Sequence, residues 1–547
     1  MVSELEMLEA PPEVASDVTG QRRRAAVVVI AVVASAALVW FGTGLTPIPW
    51  LTWLAPIPIF AVATRVRGRV AAIAGFVAWA AGSLTMWTYY AGTLEVPIGV
   101  VIGFLAIQAL VFSGVVVVFR ALAQRGDVVL AALAAPALWA GTEYLVSLFS
   151  PGGSFGSIGY TQSEVLPVIQ VASVTGVWGV SFLLMTVPAL AAALLIRRTA
   201  WPRLLATATV LAVATLGWGL WQLQTPVTGT AMTAALIDVR QSEDSLPIAS
   251  QEAQKVLNAY LAAVPAVVAA GATAVVLPEK VFKVDAAELD GLGRQLTAVA
   301  AQNRITIVVG VTLKDSTGVH NIAMAYTGGD SARYDKQHLV TGWEDQFTPG
   351  DQLTVLPGTR MGLAICKDLD HPQLPRQYAQ RGTTMLLVPA LDFERDGWLH
   401  SRIAVVRGVE NGVTVLRAAG HGWLTASDSH GRLLADVPTG STDTTVTTVA
   451  VHSGSSGTPY SRFGDWFAWI CLALAAAALT RLRNTRVRGR GVAEAPAGSL
   501  DQRPTTATTP VIVPIYARPS ASVGEAKCGM APTESWWLTA PVAGLST

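Results

Sequence analysis

Charge and cysteine are both scarce in this chain. Of its 547 residues only 14% are charged and 3 are cysteine. Soluble domains carry about 25% charged residues, so the shortfall excludes an ordinary soluble protein. The net charge of +1 leaves no electrostatic footprint for nucleic acid. No metal-ligand cluster, phosphate-binding glycine loop or nucleotide fingerprint stands out, so neither a metal nor an organic cofactor is expected. Of the cysteines, Cys471 lies in an apolar segment and Cys528 near the end of the chain, which leaves Cys366 without a disulfide partner in its own region.

What the chain has instead is apolar residues, 52% of the total. Most of them precede residue 225. A membrane-crossing helix needs about 20 mostly apolar residues. Segments of this kind occur at 25–41, 50–63, 70–90, 98–119, 128–149, 166–196 and 204–220, and an eighth at 466–480. The second is short and contains Pro56 and Pro58, the signature of a broken or re-entrant element. The arginines lie in alternate connections: Arg22–24, then Arg65, Arg67 and Arg69, then Arg120 and Arg125, then Arg197, Arg198 and Arg203, and Arg481 onward. The intervening connections near 42–49, 91–97 and 150–165 contain no Lys or Arg. By the positive-inside rule both termini face the cytoplasm, and residues 223–463 lie outside. The expected organisation is a leader at 1–24, seven spans over 25–222, an outer domain at 223–463, an eighth span at 464–480 and a basic, then disordered tail at 481–547. A cleaved signal peptide is not expected, despite Ala34-Ser35-Ala36, because more spans follow.

Two features of the membrane half carry functional weight. Glu143, in Pro136-x-x-Trp139-x-x-x-Glu143, is an ionisable residue inside an apolar segment; a glutamate reaching the outer headgroups is the simpler alternative. The outer connection Gly152-Gly153-Ser154-Phe155-Gly156 permits a close backbone approach at the membrane surface.

Residues 230–453 alternate strand-like and helical patterns, the pattern of an α/β domain. Strands are expected near 233–237, 273–277, 305–311, 322–326, 361–365, 384–388 and 413–417, and a hairpin with its turn at His430-Gly431. Helices are expected at 250–269, 286–302, 373–381 and 398–411. Reactive groups in such folds gather at the C-terminal ends of strands. Glu279, Lys336 and Cys366 occupy such ends. A carboxylate can take the proton of a thiol as it attacks, and an ammonium can stabilise the resulting oxyanion. Taken singly, each residue is better explained by an ordinary structural role, Glu279 as a helix-start carboxylate and Lys336 as a solvated loop charge.

The three segments Leu277-Pro278-Glu279, Tyr334-Asp335-Lys336-Gln337-His338 and Gly362-Leu363-Ala364-Ile365-Cys366 resemble the catalytic motifs of the nitrilase superfamily. With the order of spans, they look like its membrane-embedded branch, the apolipoprotein N-acyltransferases. The resemblance covers roughly residues 25–480 and includes Gly159-Tyr160-Thr161-Gln162, Gly176-Val177-Trp178-Gly179 and Arg417-Ala418-Ala419. It implies a membrane helical bundle joined to an αββα sandwich. It also implies Glu279 as general base, Lys336 as stabilising cation and Cys366 as nucleophile. Glu344 and Asp368 would be supporting acids, and Glu143, Tyr160 and Trp178 membrane-side or lipid-binding residues. The implied substrates are a phospholipid acyl donor and a diacylglyceryl-lipoprotein acceptor, joined through a thioester; the oligomeric state stays open. The chain departs from the family at Lys367, where an aromatic is usual, at Leu277 in place of Trp, and at Ala419-Gly420-His421-Gly422 in place of Asn-Thr-Gly. A membrane-tethered amidase and a non-catalytic envelope scaffold are the alternative readings.

Overall fold

The computed structural model describes residues 12–491, apart from 243 and 456. Among them, seven helices are long and apolar enough to cross a membrane: Gly20–Gly42, Gly68–Met86, Ile98–Gln124, Val128–Phe149, Val177–Ile196, Arg198–Gln224 and Trp466–Asn484. The shortest has 19 residues, about 28 Å of rise against a hydrocarbon core of about 30 Å. Small residues let the helices approach. A Cβ on Gly82 would lie 2.4 Å from Val39 Cβ, so only glycine allows the first helix and Gly68–Met86 to touch there.

The expected second span is two short helices, Pro49–Leu54 and Ile57–Ala63. Pro56 and Pro58 lack the amide hydrogens that a continuous helix would use. The expected span at 166–196 also divides, into Leu166–Ile169, Ala172–Thr175 and the long Val177–Ile196. Gly176, at φ +69°, makes the last break. The first helix begins at Pro12, inside the expected leader, and the last reaches Gly491, beyond the expected boundary at 480. Residues 492–547, with Cys528 and most of the expected tail, lie outside the described residues. Cys471 is buried in the bundle beside Phe182.

The two ends of the bundle differ chemically. At one end, Arg120 donates to the Val66 carbonyl at 2.9 and 3.1 Å, Arg125 to Leu482 at 3.1 Å, and Arg481 pairs with Asp127 at 3.0 Å. At the other end the connecting loops meet the α/β domain.

That domain is built on two sheets. In the first, Thr444–His452, Ala231–Val239, Ala272–Val276 and Thr306–Asp315 lie side by side, with Gly318–Tyr326 and Ser331–Asp335 beyond. The second runs Leu433–Pro438, Trp423–Ser427, Thr414–Gly420, Met385–Leu391, Met361–Leu363, Thr354–Val355. Alternation along each strand sorts the side chains. Ala234, Leu236, Val276 and Val308 face Leu363, Leu387 and Leu416 between the sheets. Ala235, Ile237, Val275 and Ile307 point outward, beneath helices Gln251–Ala269 and Ala286–Asn303. Helices Gln373–Gln380 and Gly397–Asn411 cover the other side. The result is the four-layer αββα order. Strand Thr444–His452 follows the 423–438 hairpin in sequence but pairs with Ala231–Val239 in the other sheet.

Helix Gly397–Asn411 joins the two halves and is buried along almost its whole length. Its Ala404 faces the sheet, while Leu399, Ile403 and Val406 belong to the apolar core of the bundle. Charged groups pin the seam. The Val177 amide donates to Glu410 at 2.7 Å, and Trp178 Nε1 to Asp465 at 2.9 Å. Arg402 bridges Glu164 and Asp436, each at 2.8 Å.

Candidate active site

Three strands and the turns after them bring the site together. Ala272–Val276 leads into Glu279, Ser331–Asp335 into Lys336, and Met361–Leu363 into Cys366. The turn carrying Glu279 lies so close to the next strand that a Cβ on Gly310 would be 2.4 Å from Glu279 Cα. Glycine is required there. Cys366 sits at φ +40° and opens a short 3-10 turn, Cys366–Asp370. A non-glycine residue in this region is strained, and such strain recurs at functional sites.

Lys336 Nζ lies 2.8 Å from Glu279 Oε1 and 2.8 Å from Glu344 Oε2. Lys280 reaches the other Glu344 oxygen at 3.3 Å. Asn321 donates to both carboxylates, at 2.6 and 2.9 Å. Glu279 and Lys336 are each 1% exposed, and Cys366 7%. Burial alone would lower the Lys336 pKa, but Glu279 and Glu344 hold it well above its ordinary value. Burial opposes ionisation of Glu344, yet Lys336, Lys280 and the Val340 amide hold its carboxyl at about 2. Lys336 is therefore a fixed cation between two carboxylates.

The sulfur is in a different state. Burial first, then Glu279 and Asp392, push the Cys366 thiol well up, against the pull of Lys336 and Arg417. Cys366 rests as a thiol, bonded to the Leu391 carbonyl at 3.6 Å. It becomes nucleophilic only as its proton leaves. Glu279 has a buried oxygen, Oε2, with no hydrogen-bond partner among the described residues. That oxygen can receive the proton.

Several contributors had no site role in the sequence reading, although Arg417 lay in a segment that carried the resemblance. Arg417 Nη2 lies 4.0 Å from the sulfur, and the guanidinium is held by both oxygens of Asp392. Asn321 and Lys280 were invisible in the sequence, because only the fold brings them to the carboxylates. Asp368 is adjacent but does not face the thiol. It accepts from Tyr334 Oη at 2.7 Å, the Ile365 amide at 3.0 Å and the His338 amide at 2.9 Å, clamping the lysine segment to the cysteine turn. Glu143, Tyr160 and Trp178 are not brought to the sulfur. Glu143 accepts from the Ile158 amide at 2.9 Å and from Ser157 at 3.0 Å, holding the glycine-rich loop. Tyr160 contacts Arg407 and Ser154, and Trp178 bonds Asp465. Tyr160 and Trp178 thus bond across the seam, and Glu143 bonds within the bundle's outer loop.

The site borders the bundle. Tyr89 donates to Asp396 at 2.6 Å, Trp343 Nε1 to the Leu94 carbonyl at 3.1 Å, and Ser154 Oγ to the Asp370 carbonyl at 2.6 Å. Segments on three sides of the thiol thus touch the loops at the end of the bundle opposite the arginines.

A buried Glu–Lys–Cys set on an αββα sandwich defines a nitrilase-type domain, here packed on a membrane bundle. Comparison with known proteins agrees. Residues 35–190 match the family model for the apolipoprotein N-acyltransferase N-terminal domain, and residues 234–456 that for carbon-nitrogen hydrolase. An apolipoprotein N-acyltransferase of Geobacter metallireducens is 28% identical over 501 residues, covering 80% of this chain and 92% of the relative. One from Vibrio vulnificus is 25% identical over 502 residues, covering 81% and 96%. A solved amidase from Nesterenkonia sp. is 22% identical, with a TM-score of 0.35, covering 42% of this chain and 93% of its own. The chain belongs to the apolipoprotein N-acyltransferase family, the membrane-embedded acyltransferase branch of the carbon-nitrogen hydrolases.

Proposed function

We propose that this membrane enzyme N-acylates lipoproteins, with Glu279 as base, Lys336 as oxyanion-stabilising cation and Cys366 as nucleophile. In the first half-reaction the Cys366 proton passes to Glu279 as sulfur attacks the ester carbonyl of a phospholipid. The carbonyl C–O bond breaks, the lysolipid alkoxide takes the proton back from Glu279, and a thioester remains. In the second, the α-amine of a diacylglyceryl-cysteine attacks the thioester and gives a proton to Glu279. The C–S bond breaks, an amide forms, and the thiol is restored. Lys336 stabilises the oxyanion in both halves, from a buried position where a fixed charge acts most strongly.

The single observation that carries this reading is the free, buried Glu279 Oε2 beside a resting thiol and a fixed ammonium. The union with the bundle favours lipid substrates: a simple tether needs one helix, whereas here several site segments bond to bundle loops. The arginine-rich end would face the cytoplasm and the site the outer leaflet. Both substrates are then confined to one plane with the sulfur, which favours their alignment. Mass spectrometry of a lipoprotein N-terminus tests the proposal in cells. Wild type yields the amide-linked acyl chain, and Cys366→Ala as sole copy yields a free α-amine. An amide-linked chain in the variant overturns the reading.

A further inference from the structure

Beside the nucleophile lies a cluster of one lysine and two histidines, Lys367, His338 and His371, for which the reaction above has no use. Lys367 directly follows Cys366, at the position where the chain departs from the family's aromatic. In a 3-10 turn, residues three apart eclipse one another. Lys367 therefore shares a face with Asp370, as its electrostatic pull on that carboxyl indicates. The Asp370 backbone carbonyl is bonded by the Ser154 amide and hydroxyl, so this face is turned to the outer loop of the bundle. His371 follows in the same turn, its Cε1 3.1 Å from the Cβ position of Gly153 in that loop. Its ring stacks on His338 at 3.7 Å between centroids and 14° between planes.

The two nearby acids are already engaged. Asp368 holds Tyr334, the amides of Ile365 and His338, and the His338 ring. Asp370 lies against His400 at 3.3 Å. Among the described residues, no hydrogen bond or ion pair involves the Lys367 side chain. His371 Nε2 is buried with no partner. Burial, then the charges of His338 and Lys367, push the His371 pKa down to about 4, so near neutral pH the ring is uncharged and Nε2 donates in one of its two tautomers. An unpaired ammonium and an unpaired buried imidazole nitrogen, on the surface that meets the bundle, fit a phosphate oxygen.

We infer that Lys367 and His371, with His338 stacked behind, form a subsite for the phosphate group of the donor lipid. The spacing suits it. Consecutive Cα atoms lie about 3.8 Å apart, and a glycerophospholipid places its phosphorus a few bonds from the ester carbonyl that meets Cys366. The inference rests on the acyl-transfer reading above.

Full-length protein in detergent–lipid micelles, with phosphatidylglycerol or phosphate-free diacylglycerol as acyl donor, tests it through the rate of Cys366 acylation by intact mass. Wild type should prefer phosphatidylglycerol by about tenfold or more, the worth of one or two charge-assisted hydrogen bonds. Lys367→Gln and His371→Asn should each cut that preference several-fold through KM, with the diacylglycerol rate unchanged. Inorganic phosphate separates the two sources of the ligand. Competition that Lys367→Gln abolishes means the site takes phosphate in general; no competition means it needs the lipid. Either result supports the subsite. An unchanged donor preference in both variants, or equal loss on both donors, overturns it. Acylation of wild type by both donors at equal rates also sinks the subsite and leaves the acyl-transfer reading intact. No acylation by either donor sinks that reading itself.

Discussion

Glu279→Gln separates proton transfer from charge. The substitution keeps shape and removes one negative charge beside the thiol. Glu279 is, after burial, the largest influence pushing the Cys366 pKa up. Its loss should therefore lower the thiol pKa and speed alkylation by a small soluble reagent. Acyl transfer should nevertheless slow, because the amide cannot accept the proton as sulfur attacks. General-base contributions are typically about 10²- to 10⁴-fold, or about 3–5 kcal/mol of barrier. The assay measures acyl-enzyme formation by quenched intact mass in phospholipid proteoliposomes, with iodoacetamide labelling in parallel across pH 6–9, a window chosen for the assay at about the physiological range. The expected pattern is faster labelling and slower acylation in the same variant. Acylation within about tenfold of wild type would refute the base assignment. Slowing of both reactions together would show that Glu279 acts through packing alone.

Three further outcomes follow from the geometry. Gly310→Ala drives a Cβ to within 2.4 Å of Glu279 Cα. It should cut acylation about 100-fold by displacing the base, and an unchanged rate would contradict the required close approach. Arg417→Met strands Asp392, whose side chain is 0% exposed. It should cost about 3–5 kcal/mol in denaturant unfolding; a loss below about 1 kcal/mol would place the pair's worth elsewhere. His400 lies between Asp370 and Asp396 at 3.3 and 3.4 Å. Burial opposes its charge, but the two carboxylates raise its pKa from 6.5 to about 10. A raised folded-state value stabilises fully below 6.5 and is lost as pH climbs through about 10. The Tm advantage of wild type over His400→Gln should therefore shrink between pH 7 and about 10, and a constant advantage would contradict the charged state.

Much of the architecture was legible because apolar patterning reports burial directly. The long uncharged runs became helices, and the alternation at 233–237 divided into two faces of one strand. Glu279, Lys336 and Cys366 were legible as the polar residues ending apolar strands. Other features were not, for identifiable reasons. Arg417 and Asp392 are separated by 25 residues and meet only because their strands pair in register. Asn321 lies in the middle of a strand, and nothing local shows that it faces two carboxylates. The break at Pro56 was visible in composition, but its outcome, two short helices, depends on packing against neighbouring helices. Glu143, Tyr160 and Trp178 stood out as polar or aromatic groups among apolar ones, but their partners Ser157, Arg407 and Asp465 lie too far along the chain to be read from it.

The most direct test of the central claim is the mass of the protein itself. Purified full-length enzyme incubated with phospholipid should gain one acyl chain on Cys366, labile to hydroxylamine as a thioester is. A diacylglyceryl-cysteine peptide should then discharge it as the N-acyl peptide, while water does so far more slowly. An adduct on another residue, or discharge to water as fast as to the peptide, would contradict the account.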